Sequence, residues 1–223
     1  MSVNFRWYRK HVLSFHAVDL IKFCDLSACS GISSGGDIEL SLLQAQDISE
    51  LMEFHDTKCV EWNHAFTRDE VEDRLASGQI CTCARYQGRI AGFLWFAPRR
   101  IYSPDLHCMF ELDGSSVVIH NGFVDPARRG MKIGPMMMDR SFQMLYEMGY
   151  RTVYGYPRIT NQASKKAMSY HGFVTFGKIF YGYVLGFYYF LPFHDPDPGM
   201  SIRRAVSPWH RWQTFFQKRL PAA

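Results

Sequence analysis

Apolar positions along the chain change period several times, and each change predicts an element. From His11 to Phe23, "HVLSFHAVDLIKF" spaces Val12, Phe15, Leu20 and Phe23 at helical intervals, and the Ser/Gly cluster from Ser30 to Gly36 ends the pattern. Residues 1–36 are therefore expected to form a partly helical extension and a linker. "IELSLLQ" then predicts a short strand, and "AQDISELMEFHDTKC" a helix opening near Asp47 or Ser49. In "TRDEVEDRLASG", Thr67 is placed to cap a helix, Glu70 to complete a capping box and Gly78 to stop it. "QICTCARYQGRIAGFLWFAP" predicts a hairpin turned at Gln87-Gly88. "SSVVIHNGFVDP" predicts a strand in which Gly122 marks a bulge or a close backbone approach.

A helix from about Gly134 to Met148 should end at Gly149, with "RTVYGYP" a strand after it. "TNQASKKAMSYHG" predicts a helix opened by Thr160 or Asn161 and closed by Gly172. "FVTFGKIFYGYVLGFYYFLP" predicts one or two aromatic strands, "DPDPG" a turn, and "SPWHRWQTFFQKRL" a short basic, aromatic helix. Strands come first and last with helices between, so the class is mixed α/β. The organisation read from these elements is an extension over 1–36, one domain over 37–191 and a tail over 192–223.

Composition narrows this picture. The 223 residues suffice for one compact domain with extensions, and 47% hydrophobic content excludes general disorder. Six cysteines show no zinc-ligand spacing and no disulfide framework, so no metal is expected. Cys81 and Cys83 share one strand face and are expected to be small core residues. No signal peptide and no window of ~20 apolar residues is read, which predicts a cytoplasmic protein. The aromatic, basic tail leaves open a peripheral membrane contact, a hydrophobic acceptor held beneath it, or a homodimer seam. Net charge is +4, and its one compact basic cluster, not a stripe, argues against nucleic acid as a partner.

That cluster is "VDPARRGMKIGP", where the chain leaves a strand and enters a helix. One explanation is a solvated loop. The other is an anion cradle: free N–H groups from Gly130 to Gly134 converge, the helix dipole adds to them, and Gly130 and Gly134 let a phosphate approach. Arg128, Arg129 and Lys132 supply charge suited to a diphosphate. The next strand–helix unit opens with "NQASKKAMSYHGF", in which Asn161 and Gly172 also fit an ordinary capped helix.

Together the two segments resemble the GNAT superfamily of acyl-CoA-dependent N-acyltransferases. Its phosphate loop reads R/Q-x-x-G-x-G/A, matched at its ends by Arg129 and Gly134. Its next helix reads N-x-x-S/A and then G-F, matched by Asn161, Ser164, Gly172 and Phe173. The likeness covers about Asp37 to Leu191. Lys132 stands where the family usually has the central glycine, and its side chain is expected to hold the backbone in ordinary φ space.

The resemblance implies a mostly antiparallel, twisted sheet of six to seven strands with splayed central strands and flanking helices. It implies acetyl-CoA or another acyl-CoA as co-substrate, held by Phe123, Val124, Arg128, Arg129, Gly130, Met131, Lys132, Ile133, Gly134, Asn161 and Ser164, and a primary amine as acceptor. An ammonium of pKa near 10 must first lose a proton. His120, on the strand before the loop where relatives often carry a glutamate, is the candidate base, with Asn121 and Glu111 as alternatives. An N–H near Phe123 and Val124 is the candidate oxyanion donor. Relatives often place a tyrosine acid seven residues after the asparagine. Met168 fills that slot here and Tyr170, the candidate acid, lies two residues on, about 200° around a helix. The alternatives to an acetyltransferase are a long-chain or carrier-protein-dependent acyltransferase and a catalytically weak acyl-CoA sensor.

Overall fold

A computed structural model describes residues 13–29, 38–59, 66–185 and 187–205. The Ser/Gly linker and the predicted helix after residue 206 lie outside the described residues. The strands are β1 (Leu13–Phe23), β2 (Ile38–Leu42), β3 (Ile80–Tyr86), β4 (Arg89–Pro98), β5 (Arg100–Ser103), β6 (Cys108–Leu112), β7 (Ser116–Val124), β8 (Thr152–Gly155), β9 (Val174–Val184), β10 (Phe187–His194) and β11 (Met200–Arg204). The helices are α1 (Ile48–Lys58), α2 (Arg68–Ala76), α3 (Ile133–Glu147) and α4 (Gln162–Tyr170).

Eight strands make the main sheet, in the order β10-β9-β1-β8-β7-β4-β3-β2, and β11-β6-β5 make a second, three-stranded sheet. All pairs in the main sheet are antiparallel except β7 with β8. The mixed α/β class holds, with one or two strands more than expected.

The expected helix around residues 12–23 is instead a strand inside the sheet. β1 pairs with β9 from Leu13↔Val184 to Lys22↔Val174 and with β8 at Ile21↔Gly155 to Phe23↔Val153. Ala17 to Ile21 are all buried, because both faces of the sheet are covered there. A strand buried on both faces loses the apolar–polar alternation that would identify it.

Local signals elsewhere map directly onto structure. The Thr67 hydroxyl accepts from Glu70 N, and the Glu70 carboxylate accepts from Thr67 N. Gln87 (φ 51°) and Gly88 (φ 74°) turn the β3–β4 hairpin in the left-handed geometry that matches strand twist. One face of the sheet carries α1 and α2 over Leu51, Phe54, Phe66, Val71, Phe93 and Trp95. The small sheet continues that layer over Leu20, Phe110, Tyr181 and Tyr188. The opposite face carries α3 over Phe96, Val117, Phe142 and Val153, with Ala167 and Met168 of α4 at its margin. Cys59, Cys81, Cys83 and Cys108 are buried core residues, and burial pushes the thiols of Cys59 and Cys108 up to about 12.

The "HDPDPG" turn is fastened by Asp197, which accepts from Lys22 Nζ (2.6 Å), the Tyr154 hydroxyl and Gly199 N (3.0 Å). Burial alone would raise this carboxyl, yet these donors hold it below the ordinary 3.8. Asp197→Asn leaves a lysine and a buried tyrosine without their anion, which should cost about 2 kcal/mol, or roughly 5 °C in Tm. The depressed native value fixes the sign: the contribution is complete above pH 3.8 and is lost as pH falls below it. A Tm gap between wild type and variant that widens under acid would contradict this.

Candidate active site

β7 and β8 pair only from Ser116↔Thr152 to Ile119↔Gly155, whereas β7 runs on to Val124. Beyond Ile119 the two central strands part and leave a gap. On its other side β7 stays paired with β4, but Leu94 faces Gly122 and Phe96 faces Ile119, so β7 carries one extra residue opposite Trp95. The expected bulge lies there, at His120 and Asn121. Gly122 also lies against the Leu94 side chain so closely that a Cβ would collide with it. Asp125 N donates to Ala91 O of β4 (2.9 Å). N–H direction alternates along a strand, so Val124 N–H points the other way, into the gap.

The loop after β7 starts with one 3-10 turn, Pro126–Arg128, capped by the Asp125 carboxylate on Ala127 N (3.0 Å). Arg128 lies 3.6 Å from Asp125 and 4.4 Å over the Tyr86 ring, so its charge is committed to the fold. Arg129 and Lys132 are exposed. Gly130 (φ 90°) and Lys132 (φ 59°) turn the backbone twice through the left-handed region. The expectation of ordinary φ space at Lys132 is thus corrected: the loop imposes the glycine-like conformation on a lysine, at a cost of roughly 1–2 kcal/mol. Ile133 is buried in the α3 core and anchors the turn. The N–H groups of Gly130, Lys132, Ile133 and Gly134 have no hydrogen-bond partner among the described residues. Gly134 lies beside Val124, 3.8 Å from Cβ position to Cγ2, so the free amides adjoin the gap.

His120 sits at the bulge with Nε2 3.0 Å from Gln79 Oε1. With Gln79 Oε1 as acceptor, Nε2 carries the proton, and Asn121 is the ring's second side-chain hydrogen-bond partner. Burial first, then the Arg74 guanidinium, pushes its pKa down to about 3. The sequence-based expectation of titration near neutrality is therefore overturned by environment. Asn121 is half-buried on the same bulge. Glu111 lies on β6 of the second sheet, bound to Arg203 (3.1 Å).

Asn161 caps α4, its side chain accepting from Ser164 N (3.1 Å). Met168 packs against the α3 core, whereas Tyr170 is 76% exposed at the end of α4 with its ring edge-on to His171. A buried Asp139–His171 pair (2.9 Å) ties α3 to the end of α4, holding the two motif-bearing helices together.

Sequence reasoning missed Arg74 and Trp95, which flank His120. Arg74 reads as an ordinary basic residue in the last turn of a helix. Its guanidinium instead turns inward, 5.3 Å from the Phe66 ring and 5.2 Å from the Trp95 ring, which in turn lies 6.4 Å from His120.

Among the described residues no helix is long and apolar enough to cross a membrane. A search of curated protein sequences finds no match. Solved structures share the fold at low identity. A functionally unknown conserved protein from Staphylococcus epidermidis aligns with 86% of this chain at 12% identity and a TM-score of 0.52, and the chain spans 63% of that protein's length. A putative GNAT-family acetyltransferase from Novosphingobium aromaticivorans aligns with 76% of this chain and 64% of its own, at 11% identity and a TM-score of 0.51. A GNAT-family acetyltransferase from Brucella melitensis, solved in complex with acetyl-CoA, aligns with 74% of this chain and 94% of its own, at 14% identity and a TM-score of 0.48. The sequence itself matches the acetyltransferase (GNAT) family over residues 46–173, more than half of the chain, and the protein belongs to that family.

Proposed function

We propose that the protein is an N-acyltransferase that moves an acyl group, acetyl in the simplest case, from coenzyme A to a primary amine by direct attack on the thioester. The observation that carries this reading is the set of four unpartnered amides at the start of α3, beside a strand end whose N–H faces the gap between β7 and β8. Those amides and the exposed Arg129 and Lys132 suit a diphosphate. Val124 N–H is the donor for the oxygen of the reacting carbonyl, in preference to Phe123, whose N–H points toward β4. Asn161 offers its remaining amide hydrogens at the head of α4.

His120 takes a narrower part than a general base. At about 3 its pKa makes it a poor proton acceptor, so the His120 ring and its neighbour Asn121 orient the amine by hydrogen bonding, and deprotonation falls to water. Tyr170 has the exposure of a solvated side chain, and a thiolate leaves without a dedicated acid.

Calorimetry with acetyl-CoA and desulfo-CoA tests the reading, with one-site binding of both expected and binding of neither removing it. For turnover, kcat/KM should rise about tenfold per pH unit up to the pKa of the amine, with no break near 6.5. His120→Gln should lower kcat about 10- to 100-fold and leave that slope in place. A break near pH 6.5 that vanishes in His120→Gln would restore the histidine as the base.

A further inference from the structure

The layer under α2 holds two buried donors without acceptors. Arg74 makes no ion pair and no side-chain hydrogen bond among the described residues, and its Nη1 is buried with no partner. Trp95 is fully buried, and its Nε1 is likewise unpartnered. Buried polar groups are nearly always paired, and an uncompensated guanidinium is costlier than a neutral donor. Both orphans occur on one indole and the cation stacked upon it, at the bulge where His120 and the half-buried Asn121 lead to the exposed Gly122.

We propose that Arg74 and Trp95 form the acceptor subsite, and that they select an amine carrying a carboxylate a few bonds away, as in an amino acid. One cation and two N–H donors match a monoanion with two oxygens. A phosphate dianion would call for a second cation, and within this cluster only Arg74 is cationic. The indole sets the scale: the guanidinium lies 5.2 Å and the imidazole 6.4 Å from its centre, distances that the carboxylate and amine of one short amino acid can span. The site lies on the α1/α2 face of the sheet, away from the α3 and α4 layer, so acceptor and thioester would meet at the gap from opposite faces. His120 is near enough to this guanidinium that, after burial, the Arg74 charge is the second cause of its lowered pKa.

This assignment rests on the acyltransferase reading and can fail separately from it. The full chain, saturated with coenzyme A, is titrated with N-acetylated glycine, alanine, leucine and phenylalanine, each against its primary amide. At least one acid should bind about 30-fold more tightly than its amide, since the amide offers the half-buried guanidinium no counter-charge. Arg74→Met keeps the stem packed on Phe66 and Trp95 and should bring the ratio to about one, and Arg74→Lys should restore part of it, with coenzyme A affinity unchanged in both. The free amino acids should outrun their amides as acceptors by a similar factor. Acids and amides that bind alike, or that all fail to bind while coenzyme A binds, overturn the carboxylate assignment alone. Failure of wild type to bind coenzyme A overturns the acyltransferase reading and this subsite with it.

Discussion

Gly182→Ala should destabilise the protein by about 4 kcal/mol, lowering Tm by roughly 10 °C or more. Gly182 lies in β9 opposite Phe15 on one side and Tyr189 on the other. Its φ of 151° falls where residues with a Cβ rarely go, and an added Cβ would land on the Ser14 carbonyl oxygen of β1. That oxygen belongs to backbone and cannot rotate away, so β1 has to move. Neighbouring bonds would be lost with it: Tyr183 N donates to Ser14 Oγ (3.1 Å), and the Tyr189 hydroxyl to Ser14 O (3.4 Å). Gly114→Ala is the control, since nothing lies within 4 Å of its Cβ position, and it should stay within about 0.5 kcal/mol of wild type. Equal melting temperatures for the two variants would mean that β1 does not occupy the slot between β8 and β9.

That slot shows where sequence reading stopped. Elements set by neighbours a few residues away were legible: the Thr67–Glu70 box, the Gln87-Gly88 turn and the strand–loop–helix around Gly130 each depend on contacts inside a short window. β1 was misread because its pairing partners lie at least 130 positions downstream, and because burial on both faces removes the period of two. β11 was taken as part of a tail, because its partner Cys108–Leu112 is also far off in sequence, about 90 positions upstream. The candidate site divides in the same way. The proposed anion cradle announces itself by glycines and cations that must be adjacent to act together. Arg74 meets Trp95 and His120 only after a helix and three strands have assembled, and nothing in "EVEDRLASG" distinguishes an inward guanidinium from a solvated one. His120 was proposed from its position on the strand before the loop, and its lowered pKa was not legible there, since a sequence shows neither burial nor the charge beside it.

Replacing both Arg129 and Lys132 by glutamate should weaken acetyl-CoA binding about 100-fold while changing stability by no more than about 0.5 kcal/mol. Both side chains are exposed, and neither makes an ion pair among the described residues, so the folded state has little to lose. A bound diphosphate would lose two charge-assisted contacts and gain two repulsions, reduced by solvent screening to about tenfold per site. The deficit should therefore shrink as salt rises, because the remaining attraction comes from main-chain amides that are closer and less screened. Lys132→Gly separates charge from shape. Glycine adopts the φ of 59° without the Cβ penalty, so this variant should gain about 0.5–1 kcal/mol of stability yet lose roughly tenfold in affinity. Gly130→Val is its opposite: both cations stay, but a β-branched residue is forced to a φ of 90°. If the amides form the cradle, Gly130→Val loses affinity with its charges intact. Wild-type affinity in both Gly130→Val and the double glutamate variant would place the diphosphate somewhere other than the start of α3.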